Sequence, residues 1–372
     1  LRSKVRPPHK PQHRLYCAKC LWQRLRRHGF AAVHPANLAR MMSDVSIHSL
    51  AFRAMGTQML VCMDNVDGVY AQQQLSQVPQ WFERWESVFS RFRSNSELSV
   101  LNASAGQSVV VSDDFWQVLQ LALHHARASD GVLTPAIHDA LCRAGYRRSF
   151  EALSSDSAAS NKRARDTEII HHIDTLVIDD QRQAVCLPLG MRLDLSGFVK
   201  GWCADQVVQR LGNLAPTLMD AGGDVAISGV LSDGSCWEVA VAQPYGLANI
   251  DIDIDNVSSN INDDEDLCVL RVPSGAVATS GRDYRVWQHD GKRQHHLIDP
   301  RTGESAQTEV LTATVVASSV AEAEAMAKLM LILGREQGLA WMRCHVAFAL
   351  CLVFESGEVW MNELFEQYRV RD

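Results

Sequence analysis

Residues 192–202, "RLDLSGFVKGW", bring a carboxylate, a hydroxyl, an ammonium and two glycines into one short stretch: Asp194, Ser196, Gly197, Lys200 and Gly201. That set suits a phosphate-bearing ligand. Lysine supplies a point charge, the hydroxyl donates a hydrogen bond, and glycine lets backbone approach closely. Four more turns carry glycines or acids after strand-like runs: "AMGT", "DAGGD", "ATSG" and "IDPRTG". Thr279 and Ser280 add two further hydroxyls. None of the five is a G-x-x-x-x-G-K-[ST] or G-x-G-x-x-G loop, so phosphate binding by those routes is excluded. A single glycine turn usually serves only a positive φ angle, but five together suggest a cleft lined by backbone. His295 and His296 ahead of Asp299 suggest a base, yet no nucleophile motif accompanies them.

The elements that must position these residues can be read from periodicity. "SLAFRAMGTQMLVCMD" is an expected strand interrupted at Gly-Thr. "AQQQLSQVPQWFERWESVFSRF" has helical spacing, with Trp81, Trp85, Val88 and Phe89 expected on one face. "DDFWQVLQLALHHARAS" is an expected helix closed by Asp130-Gly131. "DTLVIDDQRQAVCLPLGMRLDLSG" reads as strand, turn, strand, strand, with a helix after it in "GWCADQVVQRLGN". "VAEAEAMAKLMLILG" is a strong helix near the end of the chain. Strands and helices do not alternate regularly, so the fold class is α+β rather than a doubly wound parallel sheet. Residues 153–167 are an expected polar loop, and residues 249–267 an acidic excursion without the spacing of a calcium loop.

Charge divides the chain. Residues 1–40 hold ten Lys/Arg and no Asp or Glu, leaving 26 basic against 43 acidic residues, a balance of −17, for the rest. The body therefore offers no broad basic face for nucleic acid. No run approaches the ~18 apolar residues of a membrane helix. The division expected is a basic, disordered segment at 1–45 and one domain at 46–372. Translation from Met41 or Met42 would explain the foreign composition of the first forty residues. Of ten cysteines only Cys17 and Cys20 form a C-x-x-C pair, which is no zinc site, and no secretory signal is seen. A cytoplasmic, reducing location is the expectation, or an organelle if residues 1–40 are translated.

Eight motifs in order, "MGT", "SRFRSNSELSVLN", "DGVLTPAI", "LDLSGFVKGWCAD", "DAGGDVAISG", "VATSG", "HHLIDPRTG" and "AEAEAMAKLMLILG", resemble the FAD:protein FMN transferases, the ApbE family. The resemblance runs from about Phe52 to Gly334. It implies an ApbE-like fold of mixed or antiparallel sheets flanked by helices. It also implies cleavage of FAD at its pyrophosphate with Mg²⁺, attachment of FMN to a Thr or Ser of an acceptor protein, and release of AMP. By position, Met55, Phe92, Val132, Leu133, Thr134, Asp194, Lys200 and Ile298 match FAD-contacting residues. Lys200 and Glu324 are the expected catalytic pair. Gly197, through its carbonyl, Glu324 and Lys328 match the metal ligands.

The chain departs from this pattern. The family has Asp where Thr134 stands, and Asp and Thr four residues apart where Glu324 and Lys328 stand. Glutamate still ligates magnesium. Protonated lysine does not, and it repels a cation. Two expectations follow: an active FMN transferase, or an FAD-binding relative with weakened catalysis, in which the Lys328 ammonium stands in for the metal. Glu324 before Lys328 also fits an ordinary helical ion pair. "VPSGAV" at 272–277 superficially resembles a flavin acceptor and reads as a turn at Ser274-Gly275.

Overall fold

The computed structural model describes residues 47–150, 172–244, 266–345 and 347–371. The Cys17/Cys20 pair, the loop at 153–167 and almost all of the acidic excursion lie outside them. The main sheet has eight strands: β1 Ile47–Ala54, β2 Thr57–Asp64, β3 Thr217–Ala221, β4 Val225–Ile227, β5 Gly275–Gly281, β6 Val310–Ala317, β7 Ala349–Phe354 and β8 Val359–Met361. They lie side by side in chain order, and every neighbouring pair is antiparallel. Helices and smaller hairpins are inserted between consecutive strands of this meander. The α+β assignment holds.

β2 explains how the sheet is covered. Met59, Val61 and Met63 point into a core shared with helices, while Leu60 and Cys62 point into a core on the opposite face. A strand buried on both sides needs a continuous apolar run, and "MLVCM" supplies it. One face carries the helices α1 Val78–Phe89, α2 Asp113–Ala128, α3 Ser196–Leu211 and α4 Val320–Cys344. The other is closed by the hairpin Trp237–Ala242/Asp266–Val272, through Trp237, Val239, Val241, Leu270 and Val272. Among the described residues no helix is long and apolar enough to cross a membrane.

Several local expectations hold. Asp130 (φ 49°) and Gly131 (φ 81°) close α2, with the Gly131 N–H donating to Ala126 O at 2.7 Å. Ser274-Gly275 is the turn entering β5, with Gly275 at φ 105°. Trp85 and Phe89 lie on the buried face of α1 as expected, Val78 and Phe82 complete it, and Val88 packs half-buried against the same core. Other expectations change. Trp81 is only half-buried and lies under the Arg210 guanidinium, 4.9 Å from its ring centroid. The strand expected before "LSG" is absent: Met191–Leu195 forms no strand and is joined to Pro135 O by the Asp194 N–H at 2.8 Å. The Ser-Gly pair is no turn but the first turn of α3. Finally, α4 breaks at Gly334 (φ 73°, ψ −179°), so its first part ends where the sequence signal ends.

Candidate active site

The site is organised by α3 crossing α4. Gly197, Gly201 and Asp205 recur every four residues on α3, and Val320, Glu324 and Lys328 do so on α4, so each set forms a stripe on one helix face. The stripes meet antiparallel. At one end the Asp205 carboxylate accepts from the N–H groups of Val320 (2.8 Å) and Ala321 (3.0 Å), satisfying donors that the start of α4 leaves open. In the middle the Gly201 N–H donates to Glu324 Oε2 at 3.2 Å. A Cβ on Gly201 would stand 2.8 Å from Glu324 Oε2 and 3.0 Å from the Ala321 nitrogen, so only glycine allows this approach. At the other end the Lys328 ammonium donates to the Gly197 carbonyl at 2.5 Å and pairs with Glu324 Oε1 at 2.8 Å.

Lys200 joins this end from α3. It donates to Asp224 and stands 3.8 Å from Glu324 Oε1. Asp224 follows the paired glycines of "DAGGD" between β3 and β4. Gly222 (φ 70°) and Gly223 (φ 98°) make that turn, and a Cβ on Gly222 would come within 2.4 Å of Thr57 Oγ1. The glycine therefore lets the "MGT" turn, Met55 (φ 48°) and Gly56 (φ 71°), nest against the turn bearing Asp224. The Met55 N–H is held by Glu86, which also binds Arg93.

Burial sets the electrostatics. It opposes charge on Lys200, but Asp224 and Glu324 outweigh it and raise the lysine pKa. Burial opposes charge on Glu324 as well, and Lys328 and Lys200 overcome it, holding its carboxyl below the usual range. For Lys328 burial wins over the attraction of Glu324, and its pKa is lowered. The carboxylates lie deep, with side chains 5% exposed for Glu324 and 3% for Asp224, whereas Lys328 (14%) and Lys200 (20%) reach outward. Arg285 acts through space on Lys200. A small anion arriving here meets positive charge first.

The other expected residues divide into groups. Asp194 is buried, accepts from the Ser196 N–H at 2.9 Å and from its hydroxyl, and pairs with Arg91 Nε at 3.2 Å. Arg91 in turn lies 4.5 Å from the Phe92 ring centroid and 4.4 Å from that of Tyr146, and donates to Tyr146 O at 2.7 Å. Asp194 thus orients an aromatic-guanidinium platform whose Phe92 ring is 47% exposed. Thr134 is buried and accepts from the Ala136 N–H at 3.2 Å. Val132 is half-buried. Leu133 is core, packed with residues of α4, and Ile298 packs with Trp287, Leu141 and Ala144. Their side chains already have apolar partners, so any ligand contact falls to their backbone.

Hydroxyls expected to greet phosphate are committed elsewhere: Ser196 to Asp194, and Thr279 to Thr314 across β5 and β6 at 3.0 Å. No His–Asp pair forms at "HHLIDP". His295 Nε2 bonds Ala306 O at 2.9 Å, and Asp299 is held by Arg301, which also reaches Ile332 O at 3.3 Å near the end of the first part of α4. Sequence reasoning missed Arg91, Tyr146, Asp224, Arg285 and the contact role of Gly201. "SRFRS" looks like a solvated basic run, and only the fold shows that Asp194 faces it.

A sequence model of the ApbE family matches residues 55–351. The chain belongs to the ApbE family. Among curated relatives, the FAD:protein FMN transferase of Treponema pallidum is 30% identical over 284 residues, 72% of this chain and 74% of that protein. One from Klebsiella pneumoniae is 28% identical, over 81% of this chain and 87% of its own. Among solved structures, the ApbE protein of Thermotoga maritima superposes with a TM-score of 0.72 at 22% identity, covering 87% of this chain and all of that one. The flavin transferase ApbE from Vibrio cholerae gives 0.70 at 22% identity, covering 87% and 99%.

This ApbE-family chain departs from magnesium at the place where the resemblance expects it. Mg²⁺ demands near-octahedral oxygen ligands at ~2.0–2.1 Å. The two expected oxygens, Gly197 O and Glu324 Oε1, both accept from Lys328 Nζ. An ion bound to both would occupy the position of that ammonium, against its charge. Among the described residues no group of three or more His, Cys, Asp or Glu converges as a metal site. The residues present do not fit magnesium there.

Proposed function

We propose that this chain is an FAD:protein FMN transferase. Its relatives of that name, aligned over most of its length, support the reading. One observation in the fold carries it: Lys200 and Lys328 stand outward over buried carboxylates, where two glycines bring α3 against its neighbours. Transfer forms a bond from the Ser or Thr oxygen of an acceptor protein to the FMN phosphorus. The phosphorus–oxygen bond to the AMP half breaks, AMP leaves with the electron pair, and the hydroxyl proton is released. Charge builds on the phosphate oxygens during this exchange, and fixed positive groups lower the barrier. Lys200 stabilises the leaving phosphate, while Asp224 and Glu324 keep it charged and aimed. The Arg91–Phe92–Tyr146 platform offers a planar face for a flavin or adenine ring.

Incubation with FAD and a Ser/Thr-bearing flavin-acceptor protein tests this. AMP release in step with an FMN-sized mass gain on the acceptor is expected. FAD bound but returned intact would favour a binding module instead.

A further inference from the structure

We infer that in this chain Lys328 takes the place of the catalytic metal, so that the diphosphate bridge of FAD is held by two ammonium groups without a divalent ion. The inference rests on the flavin reading above. The Lys328 nitrogen spans the Gly197 carbonyl (2.5 Å) and Glu324 Oε1 (2.8 Å), two oxygens that would otherwise face each other across a gap. Lys200 stands 3.8 Å from the same Glu324 oxygen, so two cations flank one carboxylate. A surface helical pair would leave Glu324 in water. Here Glu324 is 4% exposed and its second oxygen is taken by the Gly201 N–H.

Position is fixed as a ligand-binding charge requires. Asp205 fastens the first turn of α4, and Gly201 sets its distance from α3. A Cβ on Gly197 would stand 3.5 Å from Lys328 Nζ, so backbone and ammonium are in near contact. Lys200 and Lys328 pair with Asp224 and Glu324, Asp220 lies within reach of the same charges, and Arg285 acts on Lys200 through space, so positive charge is present here without metal. A single ammonium lacks the charge density of Mg²⁺ but needs no coordination shell, and its remaining N–H can point to phosphate oxygen.

The test is calorimetric titration of FAD into the full chain, in EDTA and in millimolar MgCl₂, together with MgCl₂ alone. Wild type is expected to bind FAD within about twofold in both buffers and to show no heat with MgCl₂ alone. Lys328→Thr, checked for folding by circular dichroism, is expected to lose about tenfold or more in FAD affinity in EDTA and to regain it with magnesium. Wild type binding FAD about tenfold tighter with magnesium, or binding magnesium by itself, overturns the inference. So does Lys328→Thr matching wild type in EDTA. Should that variant not fold, the wild-type titrations decide. Wild type that binds no FAD in either buffer overturns the flavin reading itself.

Discussion

The two ends of the α3–α4 stripe have the same spacing and opposite content. At the Asp205 end, one carboxylate meets two backbone N–H groups and fastens a helix start. At the Lys328 end, two carboxylates and two ammoniums share a buried pocket with a backbone carbonyl. Helix packing needs the first arrangement. It does not need the second, because replacing buried ion pairs with apolar residues is often neutral or stabilising. The surplus of charge, more than the geometry, marks the second end as the working one.

The largest effect expected on this contrast is from Glu324→Ala. It strips Lys328 and Lys200 of a shared partner and should cost about 3 kcal/mol in urea denaturation along with FMN transfer. Gly201→Ala should follow, at about 1–3 kcal/mol, because its Cβ at 3.0 Å from the Ala321 backbone nitrogen forces the helices apart. Asp205→Ala should cost about 1–2 kcal/mol, typical of a lost helix cap, while FAD affinity stays within a few-fold. An equal loss of FAD binding there would erase the distinction between the ends. Gly197→Ala, whose Cβ lies at 3.5 Å from a flexible ammonium, should change stability by less than about 1 kcal/mol.

Acid sharpens the same comparison. Burial raises the Asp205 carboxyl to about 6, against its two N–H bonds, which pull it down. Between the ordinary 3.8 and about 6 the folded state then holds a proton that the unfolded state has released. Asp205 therefore contributes stability below the ordinary value, and that contribution is lost as pH rises to about 6. Urea midpoints for Asp205→Asn and wild type should diverge with rising pH across this window, the variant declining less. Parallel curves would show that the carboxyl titrates normally.

Both stripes were legible as spacing in the sequence, since residues four apart on a helix share a face. Their meeting was not. Gly197 and Lys328 are 131 positions apart, and nothing local says that α3 runs antiparallel to α4. The hairpins β1–β2, β3–β4 and β7–β8 are local, but long insertions separate the other neighbouring strands, such as β2 and β3, and hide their pairing. "RLDLSG" misled because alternation over so few residues fits an extended segment as well as a strand. "LSG" looked like a turn, whereas Asp194 accepting from Ser196 starts a helix there. The departures at Glu324 and Lys328 were visible at once, since they stand against a resemblance that sets the expected residues.

The break at Gly334 has a mechanical consequence for the rod that carries Glu324 and Lys328. Asp205 grips one tip, while Arg301 and Thr308 grip the carbonyls of Ile332 and Leu331 at the other. A rod clamped at both tips cannot screw about its own axis. One residue inserted between Val320 and Glu324 would swing everything beyond it by about 100°, pointing Lys328 away from Gly197 while leaving the composition of the helix almost unchanged.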